Sequence, residues 1–160
     1  MKLWNESQDE VKIVKKDIEM AKSIMKMIEI RSKAVETLIN EEFVSLKLEG
    51  YYEVIKEGIT ALMAVDGYRT LSHEVLIGYL KEFYNDFSES DIMLIDQIRQ
   101  LRNKIAYKGF FIDKDYMERN EAKIKHIIKK LNEILKSKTS GNFGKVIVGK
   151  SSEQRKQVTT

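Results

Sequence analysis

Cysteine and proline are both absent from the 160 residues, and histidine occurs only as His73 and His126. Without cysteine there is no disulfide, no thiol nucleophile and no thiolate zinc site, a composition that fits a reducing compartment. Two histidines are too few for an all-imidazole metal site, and His73-Glu74 is not followed by a second histidine four positions on. No glycine-rich phosphate loop and no strand pattern for a dinucleotide fold is present, so neither a metal nor a cofactor is expected. Long apolar runs are missing as well. The longest, Ala61 to Val65, has five residues, where a membrane-spanning helix needs about 20. No apolar signal segment follows Met1, and the expectation is a cytoplasmic protein without a membrane partner.

What remains is rich in Ile, Leu, Lys and Glu, which with the lack of proline favours long uninterrupted helices. Apolar spacing at threes, fours and sevens predicts five of them. The first is expected over about Ser7 to Ile39, on Val11, Val14, Ile18, Ile24, Met25, Ile28, Val35 and Leu38. The second spans about Glu41 to Val65. Gly58, Ala61 and Ala64 interleave with its apolar face so that another helix can approach, and Gly67 stands where a left-handed cap ends it. The third starts after Ser72, with Glu74 in its first turn. The fourth opens on a capping box of Ser88 and Asp91, runs through Leu94, Ile98, Leu101 and Ile105, and ends near Gly109. The fifth covers about Lys114 to Lys136.

Five one-sided helices with short links make an all-α, up-and-down bundle over residues 1–136. A chain of this size buries roughly two thirds of its unfolded surface, enough for one core. Phe110, Phe111 and Ile112, between helices four and five, are expected either to seal the core or to contact another chain. Residues 137–160 hold three of the eight glycines and are expected to form a flexible basic tail in which Lys145 to Val148 is the one short strand candidate.

The net charge of +3 is uneven. Five basic residues against Glu153 give the tail +4 and leave −1 for the rest, yet residues 99–110 carry Arg99, Arg102, Lys104 and Lys108 with no acid. Phosphate attraction acts over about 8 Å at physiological salt, so this local patch matters more than the overall pI. On the fourth helix Arg99, Asn103 and Tyr107 fall at i, i+4 and i+8, with Arg102 beside them. Two guanidinium groups, an amide and a phenol on one face can hold a phosphate bidentately and stack on or bond to a base. The alternative is a solvated helix face with a capping Arg-Asn pair. His73 reads as a first-turn residue bonded to a neighbouring segment, and His126, between lysines, as solvated.

Tyr51-Tyr52-Glu53 through Ala61-Leu62, then Gly67-Tyr68-Arg69, Ser72-His73-Glu74, Leu80 and Arg102-Asn103-Lys104-Ile105-Ala106-Tyr107 resemble the HEPN family of small helical-bundle proteins. The resemblance covers roughly residues 10–136. It implies a homodimer that brings the fourth helix of each chain together. It also implies metal-independent endoribonuclease chemistry of the kind found in toxin–antitoxin, defence and RNA-processing systems. Arg102 matches the motif arginine and Asn103 its polar neighbour, whereas the motif histidine is replaced by Tyr107. An imidazole can exchange a proton at neutral pH, but a phenol with pKa near 10 is only about one part in a thousand ionised at pH 7. In HEPN toxins paired with minimal nucleotidyltransferases, a tyrosine two positions past the histidine receives a nucleotide. Gly109 stands there, so that modification does not carry over, although a nucleotidyltransferase partner still fits.

Three readings follow. Arg102, Asn103 and Tyr107 form an atypical ribonuclease site, with Arg99, Lys104 and Lys108 binding nucleic acid. Alternatively, they form a degenerate site in an RNA- or partner-binding module. In the third, Arg102 is structural and bridges to acids such as Asp113 or Asp115.

Overall fold

Helix α2, Val44–Asp66, buries residues on almost every side: Leu48, Tyr51, Tyr52, Ile55, Ile59, Leu62 and Met63 all lie inside. A helix apolar nearly all round must be surrounded, and α2 is packed by α1 (Ile18–Glu36), α3 (His73–Phe83), α4 (Glu89–Lys108) and α5 (Lys114–Thr139). The computed structural model describes residues 1–140, and over them the chain is an all-α bundle of five helices. One small antiparallel sheet pairs β1, Lys12–Ile13, with β2, Tyr68–Arg69, in the register Lys12–Arg69 and Ile13–Tyr68.

Gly67 ends α2 in the left-handed region at φ 87°, and its N–H donates to the Met63 carbonyl. At Gly58 a side chain of α5 packs against the backbone of α2. A Cβ there would lie 3.2 Å from the Leu131 side chain, so the small residue sets the spacing between the two helices. Ile124, Ile127, Leu131 and Leu135 of α5 and Ala21, Ile28 and Val35 of α1 complete the core at helical intervals.

The first helix begins eleven residues later than its apolar spacing suggests. Val14 N–H donates to the Gly67 carbonyl and Asp17 N–H to the Ala64 carbonyl, at 2.9 Å each, which ties this segment to the end of α2. Asp17 then caps α1 by accepting from Met20 N–H. The preceding residues form two 3-10 turns, Trp4–Glu6 and Gln8–Glu10. Trp4 anchors them, with its ring edge-on to Tyr68 and Phe83 at 5.2 Å.

α5 runs three residues beyond the expected boundary at Lys136, because Lys138 finds Asp66 at 2.8 Å. Asp66 also accepts from the hydroxyls of Tyr79 and Tyr84. Burial works to raise its carboxyl, but these bonds and the ammonium outweigh burial and hold it below 3.8. The expected strand at Lys145 to Val148 lies outside the described residues. Between α4 and α5, Ile112 packs on the core, while Phe110 and Phe111 stand out at 43% and 79% exposure and do not seal it. No helix among the described residues is long and apolar enough to cross a membrane.

Candidate functional site

The position of α4 is fixed at both ends. At its start the Ser88 hydroxyl accepts from Asp91 N–H at 3.1 Å and the Asp91 carboxylate accepts from Ser88 N–H at 3.0 Å, the reciprocal capping box. Lys130 of α5 adds a bond to the same carboxylate at 3.2 Å. At its end Gly109 turns the chain at φ 62°. Leu94 and Ile98 point into the core, which rotates the Arg99, Arg102, Asn103 and Tyr107 edge towards the first turn of α3.

Between these two elements lies an open depression of about 320 Å³, with Arg99, Arg102, Asn103 and Tyr107 on one side and His73 and Glu74 on the other. That volume is at the low end of ligand sites, enough for part of a larger ligand. The four α4 residues grouped by spacing therefore do share one surface, and each plays a different part in it.

Arg99 is buried. Its Nε donates to Asp96 Oδ1 at 3.0 Å and its Nη1 lies 3.6 Å from Glu74 Oε1. Burial works to raise Asp96, but the bond from Arg99 outweighs it and holds the carboxyl below its ordinary range. Arg99 is thus committed to two carboxylates, which leaves it little charge for a ligand.

Arg102 is different. One nitrogen, Nη2, donates to Glu53 Oε1 of α2 at 3.3 Å, and a guanidinium carries five N–H donors. The rest are without a hydrogen-bond partner among the described residues, so a fork remains for a bidentate acceptor. The partner is Glu53, not the Asp113 or Asp115 named by the structural reading; Asp113 instead caps α5 through Tyr116 N–H. Glu53 also accepts from Lys56. Its burial favours the neutral acid, yet Lys56, Arg102 and Arg31 together keep its carboxyl low and charged.

The Asn103 side chain makes no hydrogen bond within the described residues and faces the depression half-buried. Tyr107 is 78% exposed on the rim. Lys104 and Lys108 are exposed outside it; the Lys104 ammonium lies 5.8 Å over the Phe110 ring.

The residue that spacing did not assign to the site is His73. Its Nδ1 is 3.0 Å from the Tyr52 hydroxyl of α2, as its first-turn position suggested, but the ring also lines the depression opposite Arg102. Burial lowers its pKa from 6.5, the Lys56 and Arg102 charges lower it further, and Glu53 opposes them. Burial pushes Tyr52 up to about 12, so this hydroxyl stays protonated beside a neutral imidazole. Nothing local in the sequence ties His73 to Arg102; only the packing of α3 on α4 does. His126 is exposed on α5, apart from this site. Among the described residues no three His, Asp or Glu side chains gather as a metal-ligand set.

No family model, no curated protein and no solved structure matches this chain.

Proposed function

We propose that the chain is an RNA-binding helical module of HEPN type, with Arg102 and Asn103 holding a backbone phosphate and Tyr107 contacting the adjoining nucleotide. The observation that carries this is the Arg102 guanidinium, steadied by Glu53 through one nitrogen while the rest of its fork lines an open depression beside an unpartnered amide. Lys104 and Lys108 extend the positive charge along the exposed side of α4. The family resemblance supports a homodimer paired through α4 and leaves a minimal nucleotidyltransferase as the fitting protein partner.

Fluorescence anisotropy with an end-labelled RNA tests this reading on two arginines of one helix. Arg102→Ala weakens binding about tenfold or more, the scale of one charge-assisted contact. Arg99→Ala lowers the melting temperature, because Asp96 and Glu74 lose their partner, and changes affinity little. Equal affinities for wild type and Arg102→Ala contradict the reading.

A second reading, metal-independent endoribonuclease, is favoured by His73. The α4 position that would supply an imidazole holds Tyr107, but α3 brings a neutral imidazole to the same depression. The Tyr52 hydroxyl is buried and has only His73 Nδ1 as a hydrogen-bond partner among the described residues, so it donates there and leaves Nε2–H as a proton donor. In that reaction a water takes the 2′-hydroxyl proton, the 2′-oxygen bonds to phosphorus and the P–O5′ bond breaks. The leaving oxygen takes a proton from His73 Nε2, which regains one from solvent. Incubation with RNA in EDTA decides. This reading expects a 2′,3′-cyclic phosphate product that disappears in His73→Gln while RNA affinity is kept. No product from the wild type leaves the binding module.

A further inference from the structure

Beyond Arg102 the outer end of α4 and the following turn expose three aromatic rings in five residues, Tyr107, Phe110 and Phe111, at 78%, 43% and 79%. Exposed apolar surface of this kind marks a contact site. Two lysines accompany the rings: Lys104 lies over Phe110 and Lys108 is exposed beside Tyr107. No acid occurs from Gln97 to Ile112, and the next lysine, Lys114, is neutralised by Glu41 at 2.8 Å. The turn itself is held in place. Gly109 takes φ 62°, Phe110 N–H donates to the Lys104 carbonyl at 3.2 Å, and Ile112 N–H donates to the Ser45 hydroxyl at 3.0 Å. The rings are therefore presented by an ordered corner.

We infer that this corner is a stacking platform for unpaired nucleotides, on which the bases of a single-stranded RNA lie against Phe111, Phe110 and Tyr107 while Lys104 and Lys108 meet its phosphates. The inference rests on the RNA-binding reading and names the form of RNA that the site takes. Every base offers a π-face, so aromatic rings interleaved with cations suit single strands. A duplex keeps its bases stacked inside and offers only phosphates and groove edges. Tyr107 borders both the platform and the Arg102 depression, so one strand can run across both.

The other occupant of an exposed aromatic surface is a second copy of this chain. Charge argues against it at this corner, since a twofold contact here would set Lys104 and Lys108, neither of them ion-paired among the described residues, against the same two lysines of the second copy. The first half of α4 carries no such charge on its outer side, where Met93 is 65% exposed and Gln97 and Gln100 follow. At 1.5 Å per residue Met93 lies about 22 Å from Lys108, so pairing of copies there leaves the corner open.

The test titrates the full-length protein with one labelled RNA sequence, presented single-stranded and annealed to its complement. Single strands are expected to bind about tenfold or more tightly over the duplex. Phe111→Ala should weaken single-strand binding by about five-fold to a hundred-fold, the range of one stacked base, and leave duplex binding unchanged. Phe111→Trp keeps the platform, and its emission should be quenched by the single strand. Mass is measured in parallel by light scattering. Equal binding of both RNA forms with no effect of Phe111→Ala, while Arg102→Ala still weakens binding, overturns the platform and spares the RNA reading. A dimer that becomes a monomer in Phe111→Ala reassigns the corner to contact between copies. No RNA bound by the wild type overturns both.

Discussion

Removing the Glu53 carboxylate changes the charge of the candidate site without touching a residue that would hold the ligand. Glu53 Oε1 lies 3.3 Å from Arg102 Nη2, with the two side chains 21% and 23% exposed. At that separation the Coulomb attraction is about 1 kcal/mol in water and about 5 kcal/mol at an effective dielectric of about 20. Most of it is cancelled by desolvation and side-chain ordering, and partly exposed pairs net about 0.2–1 kcal/mol. Glu53→Gln preserves the shape and one accepting oxygen, so it should cost about 0.5–1 kcal/mol and lower Tm by about 1–4 °C. On the ligand side it removes a negative charge roughly 7 Å from a phosphate on Arg102, worth about 0.6 kcal/mol in water. It also frees Arg102 and Lys56 from a competing acceptor. RNA binding should therefore tighten about three- to ten-fold at low salt, and the gain should shrink as salt screens it. Anisotropy at two salt concentrations, beside a thermal melt, measures both effects. Unchanged or weaker binding by a folded Glu53→Gln protein would refute the reasoning, because Glu53 would then be needed to aim Arg102.

Gly78→Ala would place a Cβ 2.1 Å from the Lys2 carbonyl oxygen. Overpacking against backbone costs about 1–3 kcal/mol and must displace the segment anchored by Trp4, against a helix-propensity gain of about 1 kcal/mol. A net loss in Tm is expected, and a rise shows that the segment does not pack there. Asp66→Asn, which weakens bonds from Lys138, Tyr79 and Tyr84, should cost about 2–3 kcal/mol by chemical denaturation. Because the folded Asp66 carboxyl lies below 3.8, the stability it contributes is complete above that value and is lost as pH falls through the lower folded one. Wild-type Tm should drop across that acidic range more steeply than that of Asp66→Asn, and parallel profiles would remove the linkage.

The parts of the fold legible in the sequence are those set by neighbours along the chain. Gly67 and Gly109 end helices in the left-handed region, and Ser88 with Asp91 closes the capping box. Gly58 accepts a crossing helix, as its place among small residues suggested. The start of the first helix was not legible. Val11 and Val14 continue its apolar spacing, but Val14 and Asp17 bond to the end of α2 some fifty residues away. The candidate site divides in the same way. Periodicity alone put Arg99, Arg102, Asn103 and Tyr107 on one edge of α4. It carried no sign that Asp96 and Glu74 neutralise Arg99, that Glu53 of α2 steadies Arg102, or that α3 brings His73 opposite. Each of these depends on how one helix packs on another, which local spacing does not encode.

Whether Arg102 recognises a phosphate is measured most directly by the salt dependence of RNA affinity. With single-stranded RNA, log Kd plotted against log salt has a slope that falls by about 0.7 for each phosphate the protein no longer neutralises. Arg102→Ala is expected to bind more weakly at every salt concentration and with a slope shallower by about that amount. An Arg102→Ala protein that is folded, with the wild-type slope and affinity, would contradict phosphate recognition by Arg102.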